Sequence, residues 1–335
     1  MGTINDAEGG KVKDQVQSVD AASVQPQVPG AMNAARESSK RAPNEADPVW
    51  TVGSVLLWVI GDFRTRGIET PRLEAELLLC HALRCTRIQL IVDRDRLLAP
   101  NELTAYRSLV ARRRKREPVA YLLGEREFYG MGFRVDRRVL IPRPDTETLV
   151  ETALTRTQHR SLYGRMLDLC TGSGNVAIAV AKQRLTWRID AVDLSADALI
   201  VAKANSLRLG AVWNLRFLQG DLFAPVPADR YDLITANPPY ISTQDLRALP
   251  PDIRDHEPSL ALFGGDDGLD VVRRIVRAAG SHLVDGGVIA LEIACDQGDA
   301  TAALLREAGF QGVQIDRDLG ARQRVVSASW TIREP

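Results

Sequence analysis

From residue 165 onward the chain alternates between two hydrophobic periods, and that alternation constrains the fold more than any other feature. Short apolar, β-branched runs stand at 165–169, 188–192, 215–218, 231–236, 288–293 and 324–328. Helix-period stretches lie at about 175–184, 196–208, 269–282 and 297–308. Apolar runs bounded by turn residues read as strands buried on both faces, and the longer stretches as the helices that cover them. The alternation predicts a doubly wound parallel sheet of class α/β. Ligands of such sheets sit outside the carboxyl ends of the strands, so the residues just after each run are the candidates for chemistry.

The first run continues through Asp168-Leu169-Cys170-Thr171-Gly172-Ser173-Gly174-Asn175-Val176-Ala177. The glycines let backbone approach a ligand, and Ala177 lets the next helix pack closely on the sheet. Thr171, Gly172, Ser173, Gly174 and Asn175 are therefore candidate cofactor-binding residues. Asp193 ends the second run, 19 residues past Gly174, where a carboxylate can accept from both hydroxyls of a ribose. After the third run, Asp221 can accept from an adenine amino group with Leu222 packed on the ring, although a simple Asx turn explains Asp221 equally well. Glycine loop and acid together indicate a nucleoside-type ligand; they leave nicotinamide dinucleotides and S-adenosylmethionine both open.

The fourth run decides between them. It stops at Thr235-Ala236-Asn237-Pro238-Pro239-Tyr240, since proline has no N–H for the ladder and forces extended geometry on the residue before it. The Asn237 side-chain oxygen and the Pro238 carbonyl are two acceptors for the two hydrogens of a planar –NH2 group, with the Tyr240 ring stacked behind and Pro239 stiffening the turn. The plain alternative is a polar turn that caps a strand. Asn237, Pro238 and Tyr240 are the candidate catalytic residues, all four of Asn237 to Tyr240 the candidate substrate contacts, and Asn237 also borders the cofactor. Hydride chemistry needs a proton donor instead, and beyond residue 193 the histidines, His256 and His282, read as loop and helix-end residues.

Residues 1–48 are rich in Ala, Ser, Gln, Gly and Asp, and are expected to form a disordered tail. They lack the charged start and apolar core of a signal peptide. Between 49 and 116, Val52, Val55, Leu56, Val59 and Ile60, then Leu73, Leu77, Cys80 and Leu83, then Leu103, Tyr106, Leu109 and Val110 recur at helical spacing. This predicts a small helical domain. Its closing run, Arg112-Arg113-Arg114-Lys115-Arg116, reads as a solvated helix end or as a patch for an acidic or RNA-bound partner. Residues 117–146 read as a connector. Alternation around Gly130 to Gly132 predicts a β-hairpin, the prolines extend Leu140-Ile141-Pro142-Arg143-Pro144, and a helix starts at Asp145-Thr146-Glu147. The catalytic domain is expected over 147–331.

Lys+Arg and Asp+Glu number 43 each, so no global field draws the protein to nucleic acid. The four cysteines and four histidines form neither a zinc pattern nor a disulfide framework, and no metal is expected. Unpaired cysteines and the absence of a run of ~20 apolar residues suggest a cytoplasmic protein without a membrane span.

Taken together, these stretches resemble the HemK/PrmC family, the peptide chain release factor N5-glutamine methyltransferases. The resemblance covers about 50–330 and rests on Glu117 to Gly124, Leu140 to Glu147, the glycine loop, Ala191 to Ser195, Asn237 to Tyr240, His256-Glu257-Pro258, Gly264 to Leu269, Leu291-Glu292-Ile293 with Gln297, and Arg324 to Val326. It implies a Rossmann-like class I methyltransferase sheet whose last strand is antiparallel, preceded by a helical domain that recognises the protein substrate. It also implies S-adenosyl-L-methionine as donor and the glutamine of the Gly-Gly-Gln loop of class-1 release factors as acceptor. A monomer with no direct nucleic-acid contact is expected.

The chain departs from the family pattern at Cys170 and Ala294, where glycine is usual, and at Leu222, where tryptophan is common. Cys170 is expected to be a small buried residue rather than a nucleophile, compact at the strand end provided its φ is negative. An amide nitrogen is a poor nucleophile, so the site must orient it and favour its partly positive transition state, which the Asn237 and Pro238 acceptors can do. The competing readings are adenine-N6 methylation of DNA or RNA, which shares Asn-Pro-Pro-Tyr and requires a flipped base, and a non-catalytic adapter that keeps the fold.

Overall fold

The computed structural model describes residues 49–332; the tail expected at 1–48 lies outside the described residues. Thr51 starts α1 (Val52–Thr65) with a reciprocal capping box, its hydroxyl accepting from the Ser54 N–H at 3.1 Å while the Ser54 hydroxyl accepts from the Thr51 N–H at 2.9 Å. Proline opens α2 (Pro71–Leu83), and Thr86 with Gln89 caps the short α3 (Arg87–Val92). Proline also opens α4 (Pro100–Arg114), since the N–H it lacks has no helical partner at a first turn. Val55, Val59, Phe63, Leu78, Leu79 and Tyr106 belong to one hydrophobic core that these helices share. Periodicity missed α3 because its Ile88, Ile91 and Val92 face outward.

The arginine run at the end of α4 is largely paired within the chain, although Arg112 and Lys115 stay exposed to solvent. Arg112 pairs with Glu117 at 2.7 Å, and Arg114 pairs with Asp62 at 2.8 Å while lying over the Trp58 ring at 5.1 Å. Arg116 donates to the Arg66 carbonyl at 2.6 Å. Arg113 is 3% exposed and bridges Glu74 at 2.5 Å and Asp252 at 2.6 Å.

A five-residue helix, α5 (Val119–Leu123), stops at Gly124 with φ 73°. The hairpin follows as β1 (Glu125–Phe128) and β2 (Met131–Arg134). Its turn is Tyr129-Gly130, both at positive φ (52° and 71°), which matches the strand twist. It therefore sits earlier than the glycine spacing suggests, and Gly132 pairs with Glu127 in the ladder.

Beyond α6 (Glu147–Arg156) the alternation runs β3 (Arg165–Leu169), α7 (Asn175–Gln183), β4 (Arg188–Asp193), α8 (Ala196–Leu209), β5 (Leu215–Gln219) and β6 (Tyr231–Ala236). Two short helices, α9 (Thr243–Ala248) and α10 (Pro251–Arg254), precede α11 (Asp270–Ala279), β7 (Leu283–Glu292), α12 (Gly298–Glu307), β8 (Gln311–Arg317) and β9 (Gln323–Ser329). The sheet order is β5-β4-β3-β6-β7-β9-β8. β9 runs antiparallel to both neighbours and the other pairings are parallel, so this is the class I methyltransferase sheet. Adjacent residues feed opposite faces: Met166, Leu233, Ala290 and Val325 join the α6–α7 side, while Leu167, Ile234, Leu291 and Val326 join the α11–α12 side.

Two strand boundaries differ from expectation. β8 was not legible, since its partly buried Val313 and Ile315 stand among exposed and half-buried polar residues at the sheet edge. β7 starts at Leu283 rather than at 288, because Gly286, at φ 67°, lets the chain pass an irregularity in its pairing with β6.

Candidate active site

The chain begins the sheet at β3, moves to β4 and β5 on one side, and returns to β6 on the other. The carboxyl ends of β3 and β6 therefore flank the topological switch point, where this architecture leaves a crevice. A cavity of about 250 Å³ opens there, and residues from the ends of β3, β4, β5 and β6 line it.

On the β3 side, Thr171, Gly172, Ser173 and Asn175 line the cavity, and Gly172, at φ 55°, has open space where a side chain would stand. Gly174 serves packing instead. It sits at φ 79° before α7, and a Cβ there would meet Ile178 at 3.1 Å and Ala202 at 3.2 Å. The Asp193 carboxylate borders the cavity and accepts from the Gly172 N–H at 2.8 Å and the Ser195 N–H at 2.9 Å. One lone pair on each oxygen stays free for a ligand. Burial holds its pKa above the usual carboxylate range, against the pull of those backbone N–H groups.

Asp221 and Leu222 line the far end, where Asp221 is paired with Arg274 at 2.6 Å rather than held in a bare turn. Cys170 lines the cavity at φ 56°, and Leu222 stands at φ 51°. The proviso of a negative φ at Cys170 is not met: the strand end turns through the left-handed region, where glycine would be unstrained. Burial pushes the Cys170 thiol well above its usual range, which favours the protonated form over the thiolate.

On the β6 side, Asn237 and Pro239 line the same cavity, whereas Pro238 and Tyr240 are not among its lining residues. The Asn237 Nδ2 points to the Thr146 hydroxyl at 3.4 Å, which leaves its oxygen for the cavity. The Tyr240 hydroxyl instead reaches Glu292 at 3.4 Å, and burial drives its pKa upward.

Backbone packs this loop from behind. Gly264 N–H donates to the Ile241 carbonyl at 2.9 Å, and a Cβ at Gly264 would lie 2.6 Å from the Pro239 carbonyl. A Cβ at Gly268 would lie 2.2 Å from the Tyr240 carbonyl. Gln297 Nε2 donates to that same Tyr240 carbonyl at 3.0 Å.

Four groups around the cavity lie in stretches that the sequence singles out but carry no site role there. Asp168, at the end of β3, accepts from Thr171 at 2.6 Å and Thr235 at 2.7 Å, and burial raises its pKa to about 6. Glu257 pairs with Arg143 and accepts from the Ile141 N–H at 3.1 Å, tying the extended 140–144 strap over the cavity. Thr146 and Glu292 form a buried cluster behind Asn237 and Tyr240. The available signal was acidic residues inside apolar strands, as in Leu167-Asp168-Leu169 and Leu291-Glu292-Ile293, because buried charges persist only where they are paired or used. Among the described residues no cluster of metal-ligating side chains occurs, and no helix is long and apolar enough to cross a membrane.

Comparison with known proteins places this geometry in a family. The model of the PrmC N-terminal domain matches residues 54–124, and that of the methyltransferase small domain matches residues 145–249. A release factor glutamine methyltransferase of Geobacter sulfurreducens is 43% identical over 84% of this chain and 98% of its own length. One from Bordetella pertussis is 46% identical over 76% of this chain and 93% of its own length. The catalytic domain of hMettl16, solved with an RNA hairpin, superposes with a TM-score of 0.50 at 16% identity, over 64% of this chain and 82% of that one, a likeness of fold alone. The chain belongs to the release factor glutamine methyltransferase family.

Proposed function

We propose that this protein transfers a methyl group from S-adenosylmethionine to the side-chain amide nitrogen (N5) of the glutamine in the Gly-Gly-Gln motif of class-1 peptide chain release factors, in support of translation termination. The observation that carries this reading is that Asn237, the glycine turn and Asp193 line one cavity at the switch point of the sheet. The residues fit an adenosyl group. Gly172 leaves backbone open to a ligand, Asp193 keeps free acceptor positions for ribose hydroxyls, and Leu222 with Val271 offers apolar surface to a purine. When bound, S-adenosylmethionine supplies an electrophilic methyl carbon on a sulfonium.

The part of the chain is to hold and orient the acceptor. The Asn237 oxygen, which borders the cavity, accepts one hydrogen of the glutamine –NH2, and the Pro238 carbonyl, set back from the cavity's lining, accepts the other from a substrate that reaches past it; both interactions strengthen as positive charge grows on that nitrogen. Pro239 keeps the strand end rigid, and Tyr240 anchors it through Glu292. Thr171, Ser173 and Asn175 shape the donor end. Residues 49–116 act as the substrate-recognition domain, and the protein works as a cytoplasmic monomer without contacting nucleic acid directly.

The test is incubation of the full chain with methyl-labelled S-adenosylmethionine and purified release factors, with the label located by peptide mass. Label on the Gly-Gly-Gln glutamine is expected. Label confined to added DNA or RNA would overturn the reading in favour of adenine methylation, and donor binding with no labelled product would favour an adapter.

A further inference from the structure

Asn205 stands on α8, fully buried, and lies outside the residues that line the cavity. Its carboxamide is bound on both sides nonetheless. Oδ1 accepts from the Arg134 N–H at 2.8 Å, while Nδ2 donates to the Arg134 carbonyl and to the Ser173 carbonyl, each at 3.0 Å. Both amide hydrogens and one lone pair are used. An oxygen set against an N–H and a nitrogen set against two carbonyls fix which way round the amide lies.

The two partners belong to different parts of the molecule. Arg134 ends β2 of the hairpin that follows the N-terminal helices. Ser173 sits in the glycine turn, one residue before the cap of α7, so its carbonyl lies outside that helix's ladder. The turn reverses through left-handed residues, with Cys170, Gly172 and Gly174 at φ 56°, 55° and 79°. The Asp193 carboxylate fixes its cavity side through the Gly172 N–H, and Asn205 fixes its rear through the Ser173 carbonyl. Ala202, one turn earlier on the same face of α8, lies 3.2 Å from where a Gly174 Cβ would stand, so the close approach of turn and helix needs that glycine. An apolar side chain at 205 would strand all three partner groups in the interior.

We propose that Asn205 is a positioning residue for the donor: it registers the glycine turn against the hairpin, so that Gly172 and the Asp193 carboxylate on its N–H stand where the ribose of S-adenosylmethionine meets them. This rests on the reading that the turn receives that donor. It gives the hairpin a part in donor binding although none of residues 125–134 lines the cavity.

N205D is isosteric, keeps the acceptor for the Arg134 N–H and sets an oxygen against both carbonyls. Calorimetric titration of the full chain with S-adenosylmethionine is expected to give a Kd at least about tenfold above wild type. In steady state the donor KM rises with it, while kcat at saturating donor and the KM for release factor stay within about twofold. A merely structural role would lower the melting temperature and the active fraction, hence kcat, and leave the Kd of the folded protein unchanged.

Backbone amide exchange in the wild-type chain, followed by NMR, reads the same link without a substitution and decides the matter should N205D not fold. With S-adenosylmethionine at about ten times its Kd, an opening that breaks the site is suppressed about tenfold, so the Arg134 amide is expected to slow together with that of Gly172. An N205D Kd equal to wild type, or an Arg134 amide indifferent to donor while Gly172 slows, would overturn the proposal alone. A wild-type chain with no binding heat and no slowing at Gly172 would overturn the functional reading as well, so the two failures are told apart.

Discussion

Cys170 and Leu222 both turn through positive φ at the wall of the cavity. For an L-residue this conformation costs about 1–2 kcal/mol, and such strain gathers at ligand sites because the surrounding structure enforces it. Cys170→Gly removes the strain but adds about 0.5–1 kcal/mol of chain entropy to be lost on folding. The variant should therefore fall within about 1 kcal/mol of wild type in urea unfolding. Cys170→Val, β-branched at the same φ, should lose about 2 kcal/mol or more. Asn237 is the other decisive residue. Asn237→Ala should reduce kcat by about 100-fold or more, as expected for a lost transition-state acceptor, while donor affinity by calorimetry stays nearly unchanged; equal turnover would remove Asn237 from the chemistry.

Among the elements, the Asn-Pro-Pro-Tyr loop is held by glycines and by Gln297 rather than by side-chain bulk. Gly268→Ala places a Cβ 2.2 Å from the Tyr240 carbonyl at φ 77°, and should cost about 2 kcal/mol or more. Displacement of the loop should lower turnover more than donor binding, and a variant with intact stability and kcat would sink that account. The strands ending at Leu169, Asp193 and Ala236 were legible because parallel strands buried on both faces leave unbroken apolar runs. β8 was not, since an edge strand shows polar residues on its open side. The cavity's glycine turn, Asp193 and Asn237 could be read from strand ends, whereas Thr146 facing Asn237 and Glu292 facing Tyr240 depend on contacts between segments 91 and 52 residues apart. Spacing carries no trace of such a pairing.

At the scale of the whole molecule, Arg113 ties Glu74 of α2 to Asp252 of α10, just beyond the Asn-Pro-Pro-Tyr loop. Arg113→Met leaves two carboxylates without their shared cation, and should destabilise the chain by about 3 kcal/mol, read as a lower urea midpoint. An unchanged midpoint would mean that the contact contributes little. The arginine run reads from sequence as a solvated helix end or a patch for a partner, because composition cannot distinguish a charge facing water from one facing another segment.

The position of β9 between β7 and β8 has a consequence of its own. β8 and β9 are neighbours in sequence and pair antiparallel with each other, while β9 alone touches the rest of the sheet, along β7. The hairpin therefore joins the sheet through a single seam, and Arg324 on that seam reaches across to Asp145 at the entrance of α6. Prising the seam apart would unlatch the start of α6 together with the sheet's edge.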